Sequence, residues 1–255
     1  MSSVPTAVHT LERELQQIFG ARLQSFVMFG HPTGDIGDAG RSSDTNRGGH
    51  GHGHDAAPAH TLVVVDTLSA ADLRACSARV TSWHESGLAT PLLLAAHEFD
   101  RSLDTFPFEF GAILSNHVVV SGRNPFEGLH VNPVDLRRAC EIQARGHLLH
   151  LREAYVETRG RLDALAVLIV GSAPAFAALA ASVARVDSAA AADSAAAARH
   201  VERVLGMPGG TASAIVNLVG VHEITSAQAE QLFDPYLDVV ERLVKYIDGW
   251  RATRG

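Results

Sequence analysis

Apolar residues at Val8, Leu11, Leu15 and Ile18 recur at helical spacing and predict a helix over residues 8–19, which Gly20 can end. An unbroken apolar run over 23–29 then reads as a strand buried on both faces, closed by Gly30. Residues 31–60 break the pattern. They are Gly, Asp, Ser, Asn and His with almost no large apolar side chain, so the segment reads as a disordered Gly/His-rich loop that cannot offset its ordering entropy. A second strand follows over 61–65, then a helix over 69–83 whose Ser69 and Asp72 have capping-box spacing. Residues 91–94, 106–110 and 117–120 read as three further strands, and Gly122-Arg123-Asn124-Pro125 as a turn.

The pattern changes after about residue 130. Asn132 and Pro133 make a helix start, and Leu136, Cys140, His147, Leu148, Leu151 and Tyr155 mark one face of a long helix. The stretch 164–184 has no charged residue and is long enough to span a bilayer, but its apolarity is mostly alanine and Gly171-Ser172-Ala173-Pro174 interrupts it. It reads as two buried helices and not as a membrane span. Residues 187–198 repeat an Asp-Ser-Ala unit of low complexity. Thr225 and Gln228 cap a last helix with an apolar stripe from Leu232 to Trp250. Strand and helix alternate in the first half and helices alone fill the second. The expected architecture is a mixed-sheet α/β domain over 1–130 followed by an all-α helical bundle over 131–255.

Composition narrows the function. A net charge of −7 with no basic run argues against a nucleic-acid partner. Lys245 is the only lysine, which removes Schiff-base catalysis and the Gly-Lys-Ser/Thr phosphate loop. Cys76 and Cys140 form no C-x-x-C pair, and Glu12, Arg13 and Glu14 interrupt the first twenty residues; both features fit a reduced, cytoplasmic protein without a secretory leader. Ser121 and Ser172 lack the G-x-S-x-G context of a hydrolase nucleophile.

The run Phe26-Val27-Met28-Phe29-Gly30-His31, the strand at 61–65, the segments 91–94 and 106–110, and the helix carrying Glu141, Arg145, Leu149 and Arg152 together resemble bacterial nucleotidyltransferase-like proteins. These share an α/β plus helical plan with the DNA polymerase beta and kanamycin nucleotidyltransferase group. The resemblance implies a Gly-Ser turn after the first strand and two carboxylates on alternate residues of the second. Two such acids point to one face and share Mg²⁺ in a two-metal displacement. Here Gly-Ser reads Gly30-His31, leaving these as the nucleotide-binding candidates, and the acid positions read Ala59 and Thr61. The resemblance therefore implies the scaffold of a nucleotidyltransferase with a degenerate motif: a pseudoenzyme that binds nucleotide or protein. The helical domain is the expected surface for a protein partner or a homodimer.

Two alternatives stand beside this reading. Asp35, Asp38 or Asp55 can be recruited with Glu109 to an active Mg²⁺-dependent site acting on a small hydroxylated acceptor; Glu109 is otherwise a structural acid paired with Arg137 or Arg145. Asp104 reads as a turn or capping residue before the strand at 106–110. His50, His52 and His54, joined by Asp55 and His60, alternate with glycine and suit Zn²⁺ or Ni²⁺. His147 and His150 share a helix face and read, with the pair Glu141 and Arg145, as bundle and interface residues and not as a catalytic set.

Overall fold

The computed structural model describes residues 4–30, 58–189, 191, 193–207 and 209–250. The chain is mixed α/β and divides into two compact units, one reaching Val131 and the other running from Asn132 onward.

In the first unit, helix α1 (Thr6–Phe19) turns at Gly20 through a short 3-10 helix into β1 (Leu23–Phe29). Then come β2 (His60–Val65), α2 (Ala70–Ser77), α3 (Val80–Glu85), β3 (Leu92–Ala95), α4 (Ala96–Thr105), α5 (Pro107–Ser115) and β4 (His117–Gly122). The sheet order is β3-β2-β1-β4. β1 pairs antiparallel with both β2 and β4, whereas β2 and β3 are parallel, joined by the crossover through α2 and α3.

Alternation along the strands sorts the core into two layers. Phe26, Met28, Val63 and Val65 pack with Val8, Leu11, Leu15 and Trp83 on the α1 side. Val27, Leu62 and Val64 pack with Phe99, Phe110 and Phe126 on the α4/α5 side. Both central strands are thus buried on both faces, as their unbroken apolar runs predict.

Two predicted elements of this unit differ. Residues 106–110 are the start of a helix and not a strand: Pro107 takes the first helical turn, Phe110 and Ile113 are buried one turn apart, and Phe106 is exposed. Five residues are too few to separate the two periods. Asp104 accordingly lies inside α4 and does not precede a strand. The predicted helix over 69–83 is two helices. The Ser69–Asp72 capping box starts the first, and Arg79 N–H bonds back to the Cys76 carbonyl at 2.9 Å to end it. The second is anchored to α1 by Trp83 Nε1, which donates to Glu14 Oε2 at 2.6 Å.

The second unit holds, among the described residues, α6 (Pro133–Glu157), α7 (Leu162–Val186), α8 (Ser194–Val204), α9 (Thr211–Val216) and α10 (Ser226–Gly249). Asn132 Oδ1 caps α6 by accepting from Val134 N, and Thr225 with Gln228 forms the capping box of α10. The two helices predicted around Pro174 are one. α7 runs through the proline because α6, α8, α9 and α10 pack around it, and that burial outweighs the roughly 3 kcal/mol of an interior proline. By length and composition α7 can cross a bilayer; half of its most apolar window is buried among its neighbours.

Candidate functional site

Gly30 closes β1 with φ of 71°, a left-handed conformation that glycine adopts without strain. Beyond it, His31, Asp35, Asp38, His50, His52, His54 and Asp55 lie outside the described residues. The chain returns at Ala59, which makes a parallel bridge to Leu88: its N–H donates to the Gly87 carbonyl and its carbonyl accepts from Ala89 N, both at 2.9 Å. Thr61 sits opposite Met28 and is 1% exposed. By strand alternation its side chain shares the α1 face with Val63 and Val65, and its hydroxyl oxygen has no hydrogen-bond partner among the described residues.

These positions do not fit a divalent-metal pair. Ala59 carries no ligand atom, and Thr61 offers one neutral oxygen on the face packed with apolar side chains. Among the described residues no group of three His, Cys, Asp or Glu side chains is placed to hold a metal ion. His60, beside them, lies against Phe29 with ring centroids 5.8 Å apart and the planes tilted by 33°.

Glu109 stands exposed in the first turn of α5, where a negative charge meets the positive end of the helix dipole. The two arginines proposed as its partners belong to the second unit, and each has an acidic partner there. Arg137 binds Glu141 at 3.0 Å and the Ile247 carbonyl at 3.1 Å. Arg145 binds both oxygens of Asp248 at 2.7 and 2.8 Å and reaches Glu141 at 3.4 Å.

The first unit does have a cleft, at the other end of the sheet. Phe29, beside Gly30, pairs with His60 and His117, whereas Ser25 pairs with Val64 and Gly122. The cleft, of about 420 Å³, lies at the Ser25 end and on the α4/α5 face, opposite in both respects to Thr61. Phe99 gives it an apolar wall, and Asp100, Arg123 and Glu127 give it charge. Its polar frame is fixed. Ser25 Oγ donates to the Arg123 carbonyl at 2.8 Å, Arg123 Nη2 donates to Gln24 Oε1 at 2.6 Å, and Asn124 Oδ1 accepts from Phe126 N at 3.0 Å. Gly122 makes this frame possible: at φ of 78°, a Cβ there would collide with the Gln24 carbonyl. Such a cleft can hold a small molecule that has a flat apolar part and charged substituents. Sequence reading takes 122–125 only as a turn. Arg123 follows β4 and Asp100 lies on α4, and the sheet order β3-β2-β1-β4 with α4 packed on it brings them to one cleft.

In the second unit, His147 and His150 do not act together. His150 is exposed beside Glu153, whereas His147 Nε2 meets the Tyr236 hydroxyl at 2.7 Å. Tyr236 donates to Ser172 Oγ at 3.2 Å, and Ser172 donates to the Ile169 carbonyl at 2.9 Å. Burial, followed by the neighbouring His150, lowers the His147 pKa to about 4, and burial raises that of Tyr236. Both groups stay neutral near pH 7. The chain of hydroxyls ends on a helix carbonyl and ties α6, α7 and α10 together.

No protein-family model matches the chain, and no curated protein matches it either.

Proposed function

We propose that the protein is a divergent member of the nucleotidyltransferase-like fold without catalytic activity, acting as a nucleotide- or protein-binding module. One observation carries the reading. Where the resemblance calls for two carboxylates at the start of β2, the chain has Ala59 and Thr61, and the Thr61 side chain is sealed in the apolar layer under α1. Two metal ions need shared carboxylates to clamp the attacking and leaving oxygens. The cleft beside Ser25 supports the binding half of the reading, since Phe99 is a wall for a ring and Arg123 is a cation that can meet one anionic group beside the acids Asp100 and Glu127.

The test is a calorimetric titration of the full chain with ATP, GTP and CTP, with and without Mg²⁺, beside an assay of nucleotide transfer to hydroxylated acceptors. Binding that is independent of Mg²⁺ and weakened by Arg123→Ala, with no transfer, is the expected result. Mg²⁺-dependent transfer by the purified protein overturns the proposal. A protein-binding role predicts instead that no nucleotide binds.

A further inference from the structure

Helix α6 carries three large apolar side chains on its outer face. Ile142 is 65% exposed, Leu149 63% and Val156 72%. They are seven residues apart, so they form a stripe nearly parallel to the helix axis, with successive members about 10 Å apart. The opposite face of the same helix supplies Leu136, Cys140, Ala144 and Leu151 to the interior. The stripe is therefore surplus to the fold of this unit.

Gly146 lies between Ile142 and Leu149 on this outer face. A Cβ built there meets no atom of the described residues within 4 Å, so packing among them does not require glycine at a mid-helix position where it costs about 1 kcal/mol against alanine. A glycine lets a second backbone come close. The charges beside the stripe have a direction too. Arg138, toward the N-terminal end, is exposed and makes no ion pair among the described residues. Glu153, toward the C-terminal end, is 76% exposed, and its one ion pair among the described residues is with His150 at 3.4 Å.

We propose that this face of α6 pairs with the same face of a second copy of the chain, the two helices running antiparallel about a two-fold axis beside Gly146. In that register Ile142 lies level with the partner's Leu149 and Leu149 with the partner's Ile142. Arg138 lies level with the partner's Glu153, and the symmetry repeats each contact. A parallel arrangement would set Arg138 against a like charge and is disfavoured. Arg145, nearest the axis, is turned aside by its two hydrogen bonds to Asp248 on α10 and leaves the approach at Gly146 open. No residue of the cleft or of β2 takes part, so this pairing and nucleotide binding stand or fall separately.

Sedimentation velocity on the full chain at roughly 100 µM tests it, a concentration at which a modest helix-pair interface is populated. A dimer is expected, and Leu149→Arg is expected to give a monomer with an unchanged circular dichroism spectrum. Arg138→Glu and Glu153→Arg should each weaken the dimer by roughly tenfold, since each lost pair counts twice, and the two together should restore it. A monomeric wild type overturns the proposal and gives the face to a different polypeptide. So does a dimer that survives Leu149→Arg, or a double charge reversal no tighter than the single ones.

Discussion

Arg22 grips Asp72 with both terminal nitrogens of its guanidinium: Nη1 lies 2.9 Å from Oδ2 and Nη2 2.7 Å from Oδ1. The same carboxylate accepts from Ser69 N at 2.9 Å and Ser69 Oγ at 2.7 Å, so one side chain caps α2 and ties it to the segment entering β1. The Arg22 hydrogen bonds first, and the Ser69 hydroxyl after them, hold the Asp72 carboxyl well below the usual carboxylate range. A folded-state pKa below the unfolded one gives stability that is complete above the unfolded value and lost as pH falls below it. Asp72→Asn should cost roughly 1–3 kcal/mol at pH 7 through the lost cap and charged hydrogen bonds. The gap between variant and wild type should close as pH drops below about 4. Urea titrations followed by the fluorescence of Trp83, in a Trp250→Phe background, measure both.

Thr61 makes the opposite prediction. Its buried hydroxyl has no partner, so Thr61→Val should leave stability unchanged or raise it by about 1 kcal/mol. Thr61→Asp, which restores the carboxylate that the resemblance calls for, should destabilise by roughly 3 kcal/mol or more, because the charge enters the layer under α1. Thermal unfolding at pH 7 reads both changes. A Thr61→Asp variant as stable as wild type would place this side chain in solvent.

His147 gives a pH dependence to the second unit. Its folded-state pKa of about 4 is below the ordinary histidine value of 6.5, so the unfolded chain binds the proton first. Stability from this group is complete above about pH 6.5 and falls by up to about 1.4 kcal/mol per pH unit down to about pH 4, below which it is level. His147→Gln, which can still meet the Tyr236 hydroxyl but does not titrate, should flatten that slope. Unfolding free energies across this pH range test it.

Asp187 gathers three donors. His200 Nε2 donates to it at 2.7 Å, and Tyr246 Oη and Trp250 Nε1 each donate at 2.9 Å. Arg203 Nη2 donates to His200 Nδ1 at 3.1 Å, which leaves the imidazole proton on the nitrogen facing the carboxylate. The end of α7, α8 and the end of α10 thus meet at one side chain that is 11% exposed. Asp187→Ala strands three donors and should cost roughly 2–4 kcal/mol; Asp187→Asn, which keeps one acceptor oxygen, should cost less. Thermal denaturation followed by circular dichroism orders the two.

The strands β1 and β2 were legible because Phe26 to Phe29 and Leu62 to Val65 are long unbroken runs, and such runs have one good solution, a strand covered on both sides. The caps at Ser69, Asn132 and Thr225 were legible because a cap is a local bargain between residues three apart. Phe106 to Phe110 was not legible, since a short aromatic cluster behind a proline fits either period and packing on Phe99 decides. Pro174 misled because its local cost is real and only the helices around α7 outweigh it. The cleft was illegible for a different reason. Ser25, Asp100 and Arg123 acquire a common surface only through the strand order and the packing of α4 on the sheet, and no spacing in the chain encodes that.

Phe29 pairs directly with His60, so the chain that leaves β1 re-enters the sheet on the adjacent strand. The two strand ends are therefore only one strand spacing apart. Closing a longer or shorter connection there changes the free energy by only about 0.6 kcal/mol for each doubling of length. The junction between Gly30 and Ala59 is therefore a natural splice point. A short turn, or a whole reporter domain whose termini lie close together, can be grafted between these strands while β1, β2 and the layers they anchor keep their register.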